Sequence, residues 1–400
     1  MTETFDVVVI GKGMMGAAAA RYLAEGGHSV ALVGPGEPAD RKHHDGVFAS
    51  HYDSGRITRT IDTSGLWAFL ARRSIERYGD IEARSGIRFY SEVGCLIVGE
   101  TPGGADDSLD QVLQARDALH VHAPLFDRQA MAARFGYFSF QEGLSGVYEP
   151  EGAGVIDPRA FVAAEVLLAE MAGAALIAEE AVSVRDDGVG QVVETRSGRR
   201  LSCGRVLVAA GGFSLSRRLL SRPLDLTVKA RTVHFAEVSD EDLARFAGMP
   251  SLIRWAPEQA DSYYMLPPVR YPDGRHYIKI GGDPDDVDLT DEDAVKTWFR
   301  GEGRAGTAAH LSRHLGDVMP GFTPASTHSA PCVTTFSRHG NPYIGWVEEG
   351  RLAVVTAGCG AAAKSADEIG RLAALMIDGM TEERALNAFV PVFAEETASA

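Results

Sequence analysis

The sequence has few cysteines, no long apolar run and no excess of basic charge. Its four cysteines, Cys95, Cys203, Cys332 and Cys359, stand far apart among 400 residues and form no C-x-x-C pair. A disulfide framework and a zinc site are therefore not expected, no metal is assigned, and a reducing cytoplasm fits. No stretch reaches the ~18 uninterrupted apolar residues of a membrane span, and no charged-then-apolar leader precedes the first predicted strand. Lys and Arg number 39 against 55 Asp and Glu, a formal net charge of −16. Such a surface repels nucleic acid and anionic lipid, so neither is expected as a partner. No repeat or low-complexity segment is present, apart from a polar tail over 395–400 that reads as frayed. What the chain does have is core material: 45% of its residues are hydrophobic. At this length about two domains are expected, interleaved rather than in series.

The organising stretch is Asp6-Val7-Val8-Val9-Ile10-Gly11-Lys12-Gly13-Met14-Met15-Gly16. Four apolar residues predict a buried strand, and Gly11, Gly13 and Gly16 fit G-x-G-x-x-G. A helical run over 17–25 and a second buried strand over 29–33 complete a βαβ unit. Gly11 permits the tight turn, Gly13 lets backbone approach a pyrophosphate, and Gly16 lets helix and strand pack closely. The helix start, around Met14 and Met15, offers unpaired N–H groups and a positive dipole end to an anion. One feature departs from the dinucleotide pattern, which ends the second strand in an acid for the ribose. Here Val33 runs into Gly34-Pro35-Gly36, and the first acid is Glu37. Either Glu37 reaches back, or backbone and water hold the ribose. The gap also admits a 2′-phosphate cofactor, although no Arg stands there to bind one.

Residues 40–62 are polar and rich in His and Arg, a composition that by itself reads as a solvated loop. Helical periodicity returns over 66–78, strands over 87–98, and one or two helices over 108–134. Asp157-Pro158 is a capped helix start, with Phe161, Val162, Val166, Leu167 and Met171 as its apolar stripe. A small meander is predicted over 182–184, 191–195 and 200–202. A separate buried strand over 206–208 then runs through Ala209 and Ala210 into Gly211-Gly212. An insertion over 215–325 carries strands near 233–238, 262–266 and 276–280. A helix follows over 298–315, weakened early by Gly301, Gly303 and Gly306. Leu352–Thr356 leads into Gly358-Cys359-Gly360, and a helix is predicted over 361–377.

These pieces, in this order, resemble the D-amino-acid-oxidase-like flavoprotein superfamily. Within it they resemble the group of monomeric sarcosine oxidase, N-methyltryptophan oxidase, pipecolate oxidase and the nikkomycin-pathway imine oxidase. The likeness spans nearly the whole chain. It implies an α/β protein: a Rossmann-like FAD domain (1–85, 145–215 and 325–400) with an inserted α+β substrate domain (86–144 and 216–324) on a large mixed or antiparallel sheet. It further implies that Cys332, in Ala330-Pro331-Cys332-Val333-Thr334-Thr335, stands where the family bonds the flavin through sulfur. From the residues alone a lone cysteine is more often a small buried hydrophobe. Lys279, which from alternation alone reads as an exposed strand residue, matches the family's flavin-facing lysine that serves oxygen reduction. His51 and Arg56 match flavin neighbours in the 50–59 loop, and these three are the catalytic candidates. Arg59 and Lys364 match the two cations that hold the substrate carboxylate, and both are expected after strand ends of the nucleotide sheet. Ser50, Ala210, Gly211, Gly358 and Gly360 complete the expected cofactor contacts with the first glycine turn and Glu37.

The chain also departs from that pattern. The segment before Lys364 reads Gly358-Cys359-Gly360-Ala361-Ala362-Ala363 and differs from the family's glycine-rich run. Tyr264 keeps one site aromatic, but Leu266, Asp283 and Thr334 stand where sarcosine oxidase has rings, so a substrate other than sarcosine is expected. The resemblance implies oxidation of the C–N bond of a secondary or cyclic amine carboxylate to an imine. FAD is the expected cofactor, O2 is reduced to H2O2, and the protein is a monomer. Three alternatives stand beside this reading. One is an amine dehydrogenase using another acceptor, one an NADP-dependent reductase, and one a flavin-bound sensing or structural protein without turnover.

Overall fold

The computed structural model describes residues 3–380 and 387–394; the tail over 395–400 lies outside them. The hydrophobic strand Glu3–Ile10 lies inside an eight-stranded sheet, paired in parallel with Val30–Val33 on one side and Arg200–Val208 on the other. Its four apolar residues Val7, Val8, Val9 and Ile10 are buried. At about 1.5–3 kcal/mol for each large side chain removed from water, they anchor the layer. Arg200–Val208 is one continuous strand, not two. Its first half closes the antiparallel meander with Gln191–Thr195, and its second half pairs in parallel with Leu352–Thr356. The burial pattern switches from alternating to continuous along it, because it passes from a half-covered ribbon to a sheet covered on both faces.

The second sheet is mixed, as expected. In order it contains Thr327–Ser337, Leu226–Val238, His276–Gly281, Tyr263–Arg270, Ser251–Arg254, Cys95–Glu100, Leu144–Glu149 and Leu125–Phe126. Only Ser251–Arg254 with Cys95–Glu100 is a parallel pair. Leu144–Glu149 and Thr327–Ser337 belong to this sheet, so the expected boundaries at 145 and 325 do not follow the sheets. A small third sheet joins Arg56–Thr58, Gly154–Ile156 and Tyr90–Ser91.

The helices show why periodicity misplaced some ends. Gly65–Ser85 outruns the predicted 66–78, because Ser64 caps its start and Gly86, at φ 70°, ends it. The predicted 298–315 helix is two, Glu292–Arg300 and Ala305–Val318, broken at Gly301-Glu302-Gly303. The predicted 361–377 helix opens as a 3-10 turn, Ala363–Ser365, before Ala366–Ile377. Four helices meet on buried charge. Arg21 bonds Glu165 and Asp367 (2.6 Å), and Arg77 bonds Asp367 and Glu368 (2.6 Å). Mutual pairing lets these charged residues be buried. Among the described residues no helix is long and apolar enough to cross a membrane.

Candidate active site

The first glycine turn is shaped to admit a ligand. Gly11 has φ 112°, and a Cβ there would lie 2.3 Å from the Ala209 carbonyl oxygen. A Cβ on Gly16 would lie 2.0 Å from the Gly11 oxygen, so Gly16 holds helix Met14–Glu25 against the strand and does not itself face the opening. That helix begins at Gly13 with no side-chain cap and no acid in its first turn, which leaves its N–H groups for an anion.

A cavity of about 680 Å³ opens from this turn toward the second sheet. Gly11, Gly13, Met14, Met15, Ala210 and Gly211 form one wall, with Gly358 and Gly360 beside them. Ser50, His51, Arg56, Arg59 and Cys332 line it farther along, and Tyr264, Asp283, Thr334 and Lys364 continue the wall. The solvated-loop reading of 40–62 therefore fails for its second half. Ala357 (φ 62°) and Cys359 (φ 47°) take left-handed backbone just after Leu352–Thr356. Thr335 holds that turn, its carbonyl accepting from Cys359 N (2.8 Å) and its hydroxyl from Gly358 N (3.1 Å). Non-glycine residues in this region are strained and collect at ligand sites.

Glu37 does not reach the cavity wall. Both its oxygens accept from Arg159, at 2.7 Å each, and this pairing fixes the loop after Val33. Cys332 is half-buried, and its sulfur accepts from Arg56 Nη2 at 3.3 Å. Arg56 also bonds the Ser50 carbonyl (3.0 Å) and is paired with Asp53. The adjacent guanidinium gives the sulfur an electropositive setting. His51 is held to about 3 by burial, with Arg159, Lys12 and Arg56 adding to the effect, so its imidazole is neutral.

Lys279 is neither exposed nor on the cavity wall. It lies on the same strand face as Gly281, which does line the cavity, but the 53–55 loop covers it. Its ammonium donates to Asp53 Oδ2 (2.7 Å) and to the Gly55 carbonyl, and Tyr271 donates to Asp53 Oδ1 (2.7 Å). Burial pushes Lys279 well below its ordinary value, and Arg56 adds to this. The Asp53 carboxylate in contact with it supports the charged form.

Arg59 follows Arg56–Thr58 in the small sheet, and not a strand of the nucleotide sheet. Lys364 sits in the turn after Leu352–Thr356. The two nevertheless meet on one oxygen of Asp62, at 2.9 Å from Arg59 Nη2 and 2.7 Å from Lys364 Nζ. Asp283 accepts from Thr232 N at 3.3 Å through both oxygens, and burial raises it to about 6 against the opposing Arg231. Tyr264 is raised to about 12 by burial, and its ring fills the space that a Cβ on Gly281 would need. Leu266 is fully buried against Gly55 and is not on the wall, so its lost ring does not enlarge the pocket.

Sequence reasoning assigned no role to Asp53, Asp62, Trp255, Gln259 or Arg231. The signal for the first two was present, since Asp53 precedes Arg56 by three residues and Asp62 follows Arg59 by three. The others lie on strands and turns of the second sheet with no motif to mark them.

The wall is also chemically unfinished. His51 Nδ1, Arg59 Nε, Arg254 Nη1, Trp255 Nε1 and Thr334 Oγ1 are buried without a partner, and all five residues line this cavity. With the glycine cradle and the uncapped helix start, the residues fit a bound dinucleotide.

The profile of the DAO family, FAD dependent oxidoreductase, matches residues 6–376. The chain belongs to this family. Two monomeric sarcosine oxidases are similar to this DAO-family chain. That of Bacillus sp. (strain B-0618) is 25% identical over 388 residues, 96% of this chain and 94% of the relative. That of Bacillus sp. (strain NS-129) is 25% identical over 343 residues, covering 84% and 82%. Among solved structures, NikD, described as an unusual amino acid oxidase essential for nikkomycin biosynthesis, superposes with a TM-score of 0.78 at 22% identity. It covers 98% of each chain, which establishes the fold. The chain is thus an FAD-dependent oxidoreductase of the sarcosine oxidase and amino acid oxidase type.

Proposed function

We propose that this chain oxidises the C–N bond of a secondary or cyclic amino acid to an imine, with O2 as acceptor and H2O2 as product. One observation carries the reading: Arg59 and Lys364, two buried cations, stand together on the wall of the cavity into which the glycine turn opens. Bound FAD supplies the two-electron acceptor for the C–N bond. Gly11, Gly13, the helix start at Met14 and Met15, Ala210, Gly211, Gly358 and Gly360 hold the cofactor. Cys332, beside Arg56, bonds it covalently. Arg59 contributes directional donors to the substrate carboxylate and Lys364 a point charge, which fixes the amine's carbon relative to the cofactor. Neutral His51 and Tyr264 shape and dry the site. Asp283 and Thr334 meet a further polar group on the substrate. The FAD domain is drawn from 1–85, 145–215 and 325–400 and the substrate domain from 86–144 and 216–324, with Leu144–Glu149 and Thr327–Ser337 lending strands to the second sheet across those bounds. A cytoplasmic monomer completes the reading, in line with four free cysteines and relatives named as monomeric.

A second reading, a dehydrogenase with another electron acceptor, is favoured by one observation: Asp53 and Gly55 occupy the Lys279 ammonium and cover it. An anaerobic screen of amine carboxylates, read as bleaching of the flavin, tests the first reading. Air admitted afterwards separates the two. Rapid return of colour with H2O2 supports the oxidase, and slow return supports the dehydrogenase. If no amine carboxylate bleaches the flavin, both fail.

A further inference from the structure

We propose that Asp62 is the third member of the anion site, an internal counter-ion that bridges Arg59 and Lys364 and leaves the Arg59 Nε edge for one substrate carboxylate. The inference rests on the anion-site reading above and deepens it: the site takes a single carboxylate, not two.

The geometry is closed on one side and open on the other. Asp62 Oδ2 receives Arg59 Nη2 and Lys364 Nζ, at 2.9 and 2.7 Å. Its Oδ1 receives Ser64 N (3.2 Å) and Thr63 Oγ1 (3.3 Å), at the entry to helix Gly65–Ser85. The carboxylate is thus fixed by its own helix start and cannot swing away without leaving donors unpaired. Arg59 and Lys364 line the cavity and Asp62 stands behind them. None of the three side chains is more than 9% exposed. Arg59 Nε is buried without a partner, so the guanidinium keeps an unspent donor after Asp62 has taken Nη2.

The surroundings leave Asp62 as the group that holds the ammonium. Around Lys364 lie Arg59, Asp62, Glu149 and the Cys95 thiol. Glu149 is spent on Thr60 N (2.9 Å) and Ile61 N (3.1 Å), and the Tyr78 hydroxyl donates to the Lys364 carbonyl, not to its amine. Asp62 is the partner that Lys364 Nζ bonds. Burial pulls Lys364 down to about 8 and Arg59 pulls the same way, while Asp62 and Glu149 oppose. Burial would raise Asp62, but Lys364 and Arg59 hold it well below the usual carboxylate range. At neutral pH the three groups sum to one positive charge, the complement of one carboxylate. A buried lysine stripped of its counter-ion gives up its proton at lower pH.

The test uses the yellow holoenzyme and acetate as probe, with Kd read from flavin absorbance between about pH 6 and pH 10. In the wild type, affinity is flat on the acid side and falls about tenfold per pH unit above the Lys364 midpoint near 8. Asp62→Asn is expected to move that midpoint acid by about one unit or more. It is also expected to tighten acetate roughly tenfold at the acid limit, where two positive charges stand uncompensated. Asp62→Glu, which keeps the charge, restores the wild-type midpoint. An unmoved midpoint in the Asn variant overturns the proposal and leaves the anion site standing. Wild type that binds no acetate at any pH overturns the anion-site reading itself. If the Asn variant does not fold, Asp62→Ser is read in its place: a midpoint moved acid supports the proposal, and an unmoved one overturns it.

Discussion

Lys279 Nζ lies 2.7 Å from Asp53 Oδ2, with the lysine fully buried. The pair joins the second sheet to the loop that carries His51 and Arg56, so Lys279 and Arg56 share one carboxylate. Arg56 and Tyr271 bind the same carboxylate. How this unit behaves on mutation bears on both the fold and the acceptor.

Asp53→Ala leaves the Lys279 ammonium buried without its counter-ion, and breaking such a pair costs about 3–5 kcal/mol. Urea unfolding should show that loss. Lys279→Met should cost less, because Asp53 keeps Arg56 and Tyr271. Equal stability of Asp53→Ala and wild type would mean that the pair is not formed in solution.

In the oxidase reading, Lys279→Met leaves anaerobic flavin reduction by substrate nearly unchanged and slows air reoxidation by ~10²-fold or more, the scale of one preorganised charge. Stopped-flow reoxidation of the photoreduced protein measures it. Equal rates in both proteins would remove Lys279 from the oxygen step.

Arg59→Ala removes one partner of a desolvated, charge-assisted contact. The cost of about 2–5 kcal/mol corresponds to roughly 30-fold or more in Kd for a simple carboxylate. Carboxylates that bind the variant as tightly as wild type would take Arg59 out of substrate recognition.

With Cys332 bonded to the flavin, acid precipitation should leave yellow colour in the pellet, and peptide mass should place the cofactor on that cysteine. Cys332→Ser should release the colour to the supernatant. Complete release from the native protein would make Cys332 a packing residue that accepts a bond from Arg56.

Asp283 and Thr334 line the cavity, and in the proposed reading they stand where sarcosine oxidase has rings, for a roomier and more polar wall. Cyclic or long-chain amino acids should therefore bleach the flavin faster than sarcosine. Initial rates of anaerobic bleaching settle the order, and sarcosine as the best substrate would refute the argument from the wall.

The first sheet and its glycine turn were legible in the sequence because they rest on local chemistry: an apolar run, three glycines with separate steric duties, and a helix at once. The Asp157-Pro158 start was legible for the same reason, and Asp157 caps Ala160 N as expected. Long-range charge was not legible. Nothing local shows that Arg21 and Asp367 meet, and from alternation alone Lys279 read as an exposed strand residue because Asp53 lies 226 positions away. Arg59 and Lys364 were placed together by family likeness, but the acid between them was passed over. Asp62 looks like an ordinary helix-entry residue until the fold brings Lys364 to it.

The strand order of the first sheet also has a consequence for synthesis. The cradle needs Glu3–Ile10, Arg200–Val208 and Leu352–Thr356 side by side, yet these strands leave the ribosome far apart in time. The glycine turn, made before both partner strands, has no finished floor until the third strand arrives, and Lys364 follows only after that. A cradle with all three strands in place is therefore available only after Leu352–Thr356 has been made. A polypeptide stopped before residue 352 would lack both the floor and Lys364, and flavin supply would stabilise only molecules made past that strand.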